Sequence, residues 1–493
     1  MAIDRRRFLQ AAGAGAGLSM TGRASWAFHD DDLPLMQPSY GDIAGYRILG
    51  FNDGSFLGSD PRQDRLEGWD RVWEFRVIDT RRGRFAYCSN GPLGWKIIDV
   101  TNPRRMRVVW RQPHLATEHS TTSDNTQYID IKGDDILVVK RNRALETWDV
   151  SNPAAPVRLA SYQPSDIHST SAPFHGLWVH EDSRGRFAFS AFRPFDFSAQ
   201  ILDICDITNP ANPMTVGRWW YPGMRAGEEP MRTWWSPESP ANGPEPAPQL
   251  GLPAPTVMCH DLTTWGDRCY PAWRDKGLII LDITNLSNPV RLGEANWADQ
   301  QPRGGVQVPP LPGQTHSWGI VVPKEGERVE TVVSGDELGQ CPFGYLHFID
   351  VRDESNPREI SGFRTPLNMH ANCPKDRPGN RMGTHDVERF IRGDVVHSAW
   401  EEGGFWGVDF SDLHYPKAVA WFVPPVRSDS NRRTGHADDV FVTEDGTIFG
   451  SSSDQGAGGL WALKLKKNFR GTVTWNADES GVIVKKSKGK NDD

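Results

Sequence analysis

One recurring unit constrains this chain more than any other feature. "WKIIDVTNPRRMRVV" (95–109) returns as "LETWDVSNPAAPVRLA" (145–160), "LDICDITNPANPMTVG" (202–217), "LIILDITNLSNPVRLG" (278–293) and "LHFIDVRDESNPREISG" (346–362). "FWGVDFSDLHYPKAVAW" (405–421) is a degenerate further copy. Each unit reads as an apolar strand, an Asp, a polar turn with Pro, and a second strand. The Asp residues are Asp99, Asp149, Asp206, Asp282, Asp350 and Asp409. In such turns Asp and Asn side chains hydrogen-bond their own backbone, and Pro fixes φ. The copies stand roughly 50–75 residues apart, the range of propeller blades and related arrays. Two more short strands precede each unit. The expected fold is therefore all-β: a seven-bladed β-propeller with four-stranded blades. "GYRILGFND" (45–53) resembles the outer strand "VRLGEAN" (290–296), so the N-terminal strand is expected to complete the last blade. The alternative is closure by "GTVTW" (471–475).

The first 27 residues read as an export signal rather than as fold. Arg5-Arg6-Arg7-Phe8-Leu9 resembles the twin-arginine signal, a Gly/Ala-rich apolar stretch follows, and "ASWA" offers cleavage after Ala27. A single propeller domain is expected over 28–476, and a basic, disordered tail over 477–493. The net charge of −8, with no basic blocks outside the tail, argues against a nucleic-acid partner or a charged membrane surface. No stretch of about 20 apolar residues marks a membrane-spanning helix. The chain is expected in the periplasm or secreted. Its oligomeric state is not legible. The six Cys show no C-x-x-C spacing, and one or two disulfides are compatible with export.

The I-I-D-V-T-N-P type unit resembles the LVIVD repeat of exported bacterial propellers. That resemblance implies a propeller and leaves the function open. Seven-bladed propellers with axial histidines are also similar to the selenium-binding protein/methanethiol oxidase family and, more distantly, to the carotenoid oxygenases. The resemblance implies a metal on axial His and oxidative chemistry. The local His motifs differ from those families, so only the architecture carries over.

Five histidines stand at one place in the repeat: His175, His260, His316, His385 and His436, each opening the first strand of a blade. His175 precedes Gly185 by ten residues, as His436 precedes Gly446 and Trp73 precedes Gly83. Asn125 is expected at the equivalent place in the second blade. In a propeller these positions ring one mouth of the central channel. The rest of that rim reads as non-ionisable. Imidazole is the commonest ligand for transition metals, and three to five converging rings are expected to hold one copper, iron or zinc ion with a position open for substrate. Alternation along a strand points Asp261 and Asp386 away from the axis and favours Asp438 and Glu388 as carboxylates that hold the rings.

Loops on the same face carry acids: "SGDELGQC" (334–341) and "AWEEGG" (399–404) place Glu337, Glu401 and Glu402 as candidate proton carriers. Arg193 in the corresponding loop of blade three is a candidate for an anionic group. Long loops at 219–255, 296–315 and 364–384 read as lids whose Trp and Met suit an apolar or aromatic small-molecule substrate. The expected function is an exported, metal-dependent enzyme, oxidative by analogy. Hydrolysis or elimination is the alternative within enzymes, and a non-catalytic binding scaffold is the alternative outside them.

Overall fold

The computed structural model describes residues 25–26, 41–56, 69–112 apart from 92, 128–167 apart from 142, 174–228, 232–233, 236–240, 257–295 apart from 275, 321–337 apart from 327, 344–368, 383–425, 437–476 apart from 454–457, and 481–486. Among them all regular structure is β-strand except two 3-10 turns, Pro366–Asn368 and Glu401–Gly403. Antiparallel four-strand meanders run over 75–111, 129–162, 174–219, 258–295, 321–363 and 384–422. Val440–Val442, Thr447–Ser452 and Gly459–Asn476 form three strands of a further sheet. Its fourth is Asp42–Asn52, which also bridges Lys417–Phe422. The closing run thus takes a strand from the opposite end of the sequence.

The repeat turns are built as their residues dictate. In all six, the backbone N–H two residues after the Asp donates to its carboxylate: Thr101 to Asp99 at 3.1 Å, Ser151 to Asp149 at 2.9 Å and Thr208 to Asp206 at 2.8 Å. Thr284, Arg352 and Ser411 repeat this on Asp282, Asp350 and Asp409. Fourth-strand glycines give room to three of these turns, those after Asp99, Asp282 and Asp350. A Cβ on Gly217 would lie 1.8 Å from the Leu286 carbonyl oxygen, and one on Gly293 would lie 2.1 Å from that of Glu354. Gly50 makes the same approach to the Pro103 carbonyl, so Asp42–Asn52 occupies a fourth-strand position in this respect too.

Apolar clusters lie between successive runs and glue them face to face. Tyr87, Trp95, Ile131 and Trp148 join 75–111 to 129–162, with the Trp95 and Trp148 rings 5.2 Å apart and edge-on. Phe75, Ile98, Phe441 and Phe449 join the closing run to the first. First strands of separate runs also meet through buried charge. Arg76 reaches Asp130 at 3.0 Å and Asp439 at 2.9 Å, and Arg389 reaches Asp130 at 3.0 Å. His397 is a core residue, bonded through Nδ1 to the Tyr46 hydroxyl at 2.7 Å, which ties the N-terminal strand to the 384–422 run.

Three expectations change. The stretch read as a disordered tail contains the strand Gly481–Lys486, paired with residues 471–476 because the long Gly459–Asn476 strand overruns its sheet. The 219–255 loop is not free of structure: Arg232–Thr233 and Ser236–Pro240 form a short ribbon. Its first two Trp are packed rather than lid-like. Trp219 stands edge-on to buried Trp273 at 5.0 Å, and Trp220 edge-on to Phe197 at 5.3 Å. Most of the 296–315 and 364–384 loops lies outside the described residues, as do Cys341 and Cys373. Cys88, Cys205, Cys259 and Cys269 are buried free thiols. Ser25–Trp26, inside the stretch read as an export signal, pairs in parallel with Ser361–Gly362.

Candidate functional site

Three of the five predicted histidines lie within the described residues, and they come together. The His175 and His260 ring centroids are 4.0 Å apart. His260 Nε2 lies 3.5 Å from one Glu337 oxygen, and His385 Nε2 lies 3.8 Å from the other. Glu337 therefore spans two rings from different runs. His316, His436 and Asn125 lie outside the described residues. The rim position expected of Asn125 is approached by Tyr128, whose hydroxyl lies 2.6 Å from His175 Nε2.

A backbone irregularity aims these rings. In each of the three first strands, pairing with the second strand slips at the histidine. Cys259 pairs with Trp273 and Asp261 with Ala272, leaving His260 as the extra residue. Thr384 pairs with Trp400 and Asp386 with Ala399, leaving out His385. In the third case the slip falls between His175 and Leu177, and Gly176 is the extra residue. A bulge breaks the alternation of faces, so successive side chains can share one side. This corrects the expectation for Asp261 and Asp386. Asp386 Oδ2 lies 3.1 Å from His385 Nδ1, and Asp261 and Asp386 feel each other's charge inside the channel. The favoured carboxylates do other work. Glu388 accepts the His397 backbone N–H at 2.8 Å, and Asp438 accepts the Ser453 hydroxyl at 2.8 Å. It is the Asp438 main-chain carbonyl that meets His385 Nδ1, at 2.8 Å. His175 Nδ1 faces the His260 carbonyl in the same way, at 3.1 Å. Holding Nδ1 against a carbonyl directs Nε2 toward the site.

The electrostatics separate the rings. Burial drives His175 down to about 3, with Lys140 adding to the effect, and drives His260 well below the usual value, with His175 and Arg274 adding. Both are neutral at pH 7. Burial also disfavours charge on His385, but Glu337, Asp386 and Asp438 outweigh it and raise its pKa well above normal. One mouth thus holds a protonated imidazole and two neutral ones around a carboxylate.

The rim is ionisable, contrary to the sequence reading. Lys140 and Arg274 are buried close enough to act on His175. The pairing register shows how the charges are arranged. The repeat Asp residues pair with Phe187, Arg268, Thr331 and Val395 on the second strands. Six residues beyond these stand Arg193, Arg274, Glu337 and Glu401, all at one level. Two adjacent runs present arginine there and the next two present glutamate. Arg274 is not among the residues expected at the rim; its signal in the sequence is its alignment with Arg193. Glu401 is fully buried, its backbone joined to Gly383 and Ala437 at 3.1 and 2.8 Å, and Glu402 is half-buried beside it. Among the described residues no group of three or more His, Cys, Asp and Glu side chains is placed to hold a metal ion. No described helix is long and apolar enough to cross a membrane.

No curated protein matches this chain. Two solved structures are similar in outline. The structure described as "Structure of U3-55K" shares 9% identity, with 85% of this chain and 98% of that one covered at a TM-score of 0.49. The "Crystal structure of RRP9 WD40 repeats" shares 9% identity, with 80% and 99% covered at a TM-score of 0.46. The architecture of this chain rests on its own sheets and not on these likenesses. The LVIVD repeat model matches residues 124–163, 197–219 and 259–296, so this is an all-β propeller repeat chain that carries LVIVD repeats.

Proposed function

We propose that the sheets form a seven-bladed ring, closed by Asp42–Asn52, and that its His-lined mouth is the active site of an exported metal-dependent enzyme acting on a small organic anion. The observation that carries this reading is the convergence of His260 and His385 on the two oxygens of Glu337. The donor chemistry fits a transition metal: His175 and His260 are neutral and can offer ring nitrogens, with His316 and His436 as the remaining ligands. His385 must release its proton to join them. Copper or iron would supply oxidation, and zinc would supply a hydrolytic nucleophile. The chain's own contribution is acid–base. Glu337, beside His260 and His385, would exchange a proton with the substrate. Arg193 and Arg274 lie on the two runs that precede those of the glutamates and suit the substrate's anionic group. Export through the twin-arginine route suits a protein that folds, and loads its ion, before transport.

Elemental analysis of the protein purified folded, without chelators, tests the reading. The expected result is close to one equivalent of a transition metal, lost in a variant with His260 and His385 changed to Ala whose thermal transition survives. No metal in either protein would overturn the enzyme reading and favour a non-catalytic binding scaffold.

A further inference from the structure

The closing run ends unlike the four-strand runs. Ile448 pairs with Leu463 in the register in which Phe85 pairs with Asp99 and Phe187 with Asp206. Leu463 therefore stands where the repeat Asp turns those runs back. No Asp-turn-Pro unit follows it, and none is needed, since Asp42–Asn52 already supplies the fourth strand. The chain runs on to Asn476 and pairs there with Gly481–Lys486. Residues 473–476 extend past Thr472, the last partner of Asp42–Asn52. At about 3.3 Å per residue, roughly 13 Å of two-stranded arm stands beyond that strand. The arm leaves its sheet at the end away from His175, His260 and His385, which stand near the start of their first strands.

Two features of the arm concern a partner. Register puts Val473 opposite Val484 and Trp475 opposite Val482. Directly paired residues share a face, and faces alternate along a strand, so these four residues fall on one face of the arm. Thr472, Thr474, Ile483 and Lys485 fall on the other. The second feature is charge. Lys464, Lys466, Lys467, Arg470, Lys485 and Lys486 lie in the two strands, which contain no Asp or Glu. Over residues 464–493 eight Lys and Arg stand against four Asp and Glu, with Asp478 and Glu479 of the link included. That +4, in a chain of net charge −8, leaves −12 on residues 1–463. The acidity that argues against a charged membrane belongs to the rest of the chain and reverses at the arm.

An apolar face flanked by cations suits an anionic bilayer surface. Apolar residues enter the headgroup boundary, and lysines reach the phosphates. An acidic protein would answer the cations but does not call for the Val and Trp face. We infer that the arm docks the protein peripherally on a lipid surface of anionic headgroups, through the face of Val473, Trp475, Val482 and Val484. This inference does not rest on the metal reading.

Co-sedimentation with phosphatidylglycerol vesicles and with phosphatidylcholine vesicles tests it. The measurement uses the full chain and the chain beginning at residue 28, which lacks Arg5, Arg6 and Arg7. The expected result for both is binding to phosphatidylglycerol, little to phosphatidylcholine, and weaker binding as salt rises. Lys485→Gln with Lys486→Gln should weaken partition about thirtyfold, from about 1 kcal/mol per lysine near the surface. Trp475→Ser should weaken it as well, and should still do so at high salt, where the lysine effect fades. An unchanged melting curve confirms the fold of each variant. In the shorter chain, no binding to phosphatidylglycerol, equal binding to both vesicles, or binding indifferent to Lys485, Lys486 and Trp475 would each overturn the inference. Retention on poly-glutamate without vesicle binding would overturn it too, and would assign the arm to an acidic protein.

Discussion

At the scale of single residues, His347 shows how this propeller buries charge behind its site. Its Nε2 meets Asp336 and its Nδ1 meets Glu359, both at 2.7 Å, with all three side chains almost fully buried. Burial alone would lower its pKa, but Asp336 and Glu359 outweigh that and raise it to about 10. The pairing therefore stabilises the fold in full below the unfolded value of about 6.5 and is lost as pH rises through about 10. Urea melts at pH 6 and pH 10.5 should show the wild type weakened at the higher pH and a His347→Gln variant almost indifferent to it. At pH 6 the variant should lose about 3–5 kcal/mol, because two buried carboxylates lose their cation. An equal pH response in both proteins would refute the role given to His347. Asp336 is the chain neighbour of Glu337, so the same triad fixes the strand end that presents the proposed proton carrier.

Strands and turns carry the next level. The bulges at His175, His260 and His385 convert a two-residue alternation into a convergent set, which single-strand reasoning could not foresee. The repeat turns behaved as their Asp, Asn and Pro residues dictate, because those bonds are local. Close approach between runs sets a sharper requirement. Gly217→Ala places a Cβ 1.8 Å from the Leu286 carbonyl, a clash only backbone movement can relieve, whereas nothing lies within 4 Å of a Cβ on Gly393. Chemical melts should show Gly217→Ala destabilised by about 1–3 kcal/mol. Gly393→Ala should stay within about 0.5 kcal/mol of wild type. Equal effects from the two would show that runs do not meet through this glycine.

Across the whole molecule, the decisive contact is between the chain ends. Asp42–Asn52 pairs with Gly459–Asn476 and buries Tyr46 against the 384–422 run. A chain beginning at residue 54 would expose a long strand edge and the apolar surface under Ile43 and Tyr46. It should lose the cooperative thermal transition expected of a chain beginning at residue 28, and a synthetic peptide of residues 40–54 should restore part of it. Full retention of the transition in the shorter chain would refute closure by this strand. The charge network of Arg76, Asp130, Arg389 and Asp439 belongs to this scale too, since its members come from four separate runs, in or next to their first strands.

The sequence by itself determined the strand repeat and the turn chemistry, offered the N-terminal strand as the first of two candidates to complete the last sheet, and put His175, His260 and His385 near the start of their first strands. Each follows from local hydrogen bonding or from a periodic pattern, which the order of residues states directly. Tertiary structure alone decided which groups meet. It set Glu337 between His260 and His385, turned Asp386 toward a ring and gave Glu388 to a backbone N–H, and put Arg193 and Arg274 on the two runs before those of the glutamates. Those outcomes depend on bulges, on pairing register and on the rotation between sheets. Each shifts a side chain by several ångströms without changing the pattern of apolar and polar residues, so no reading of that pattern could fix them.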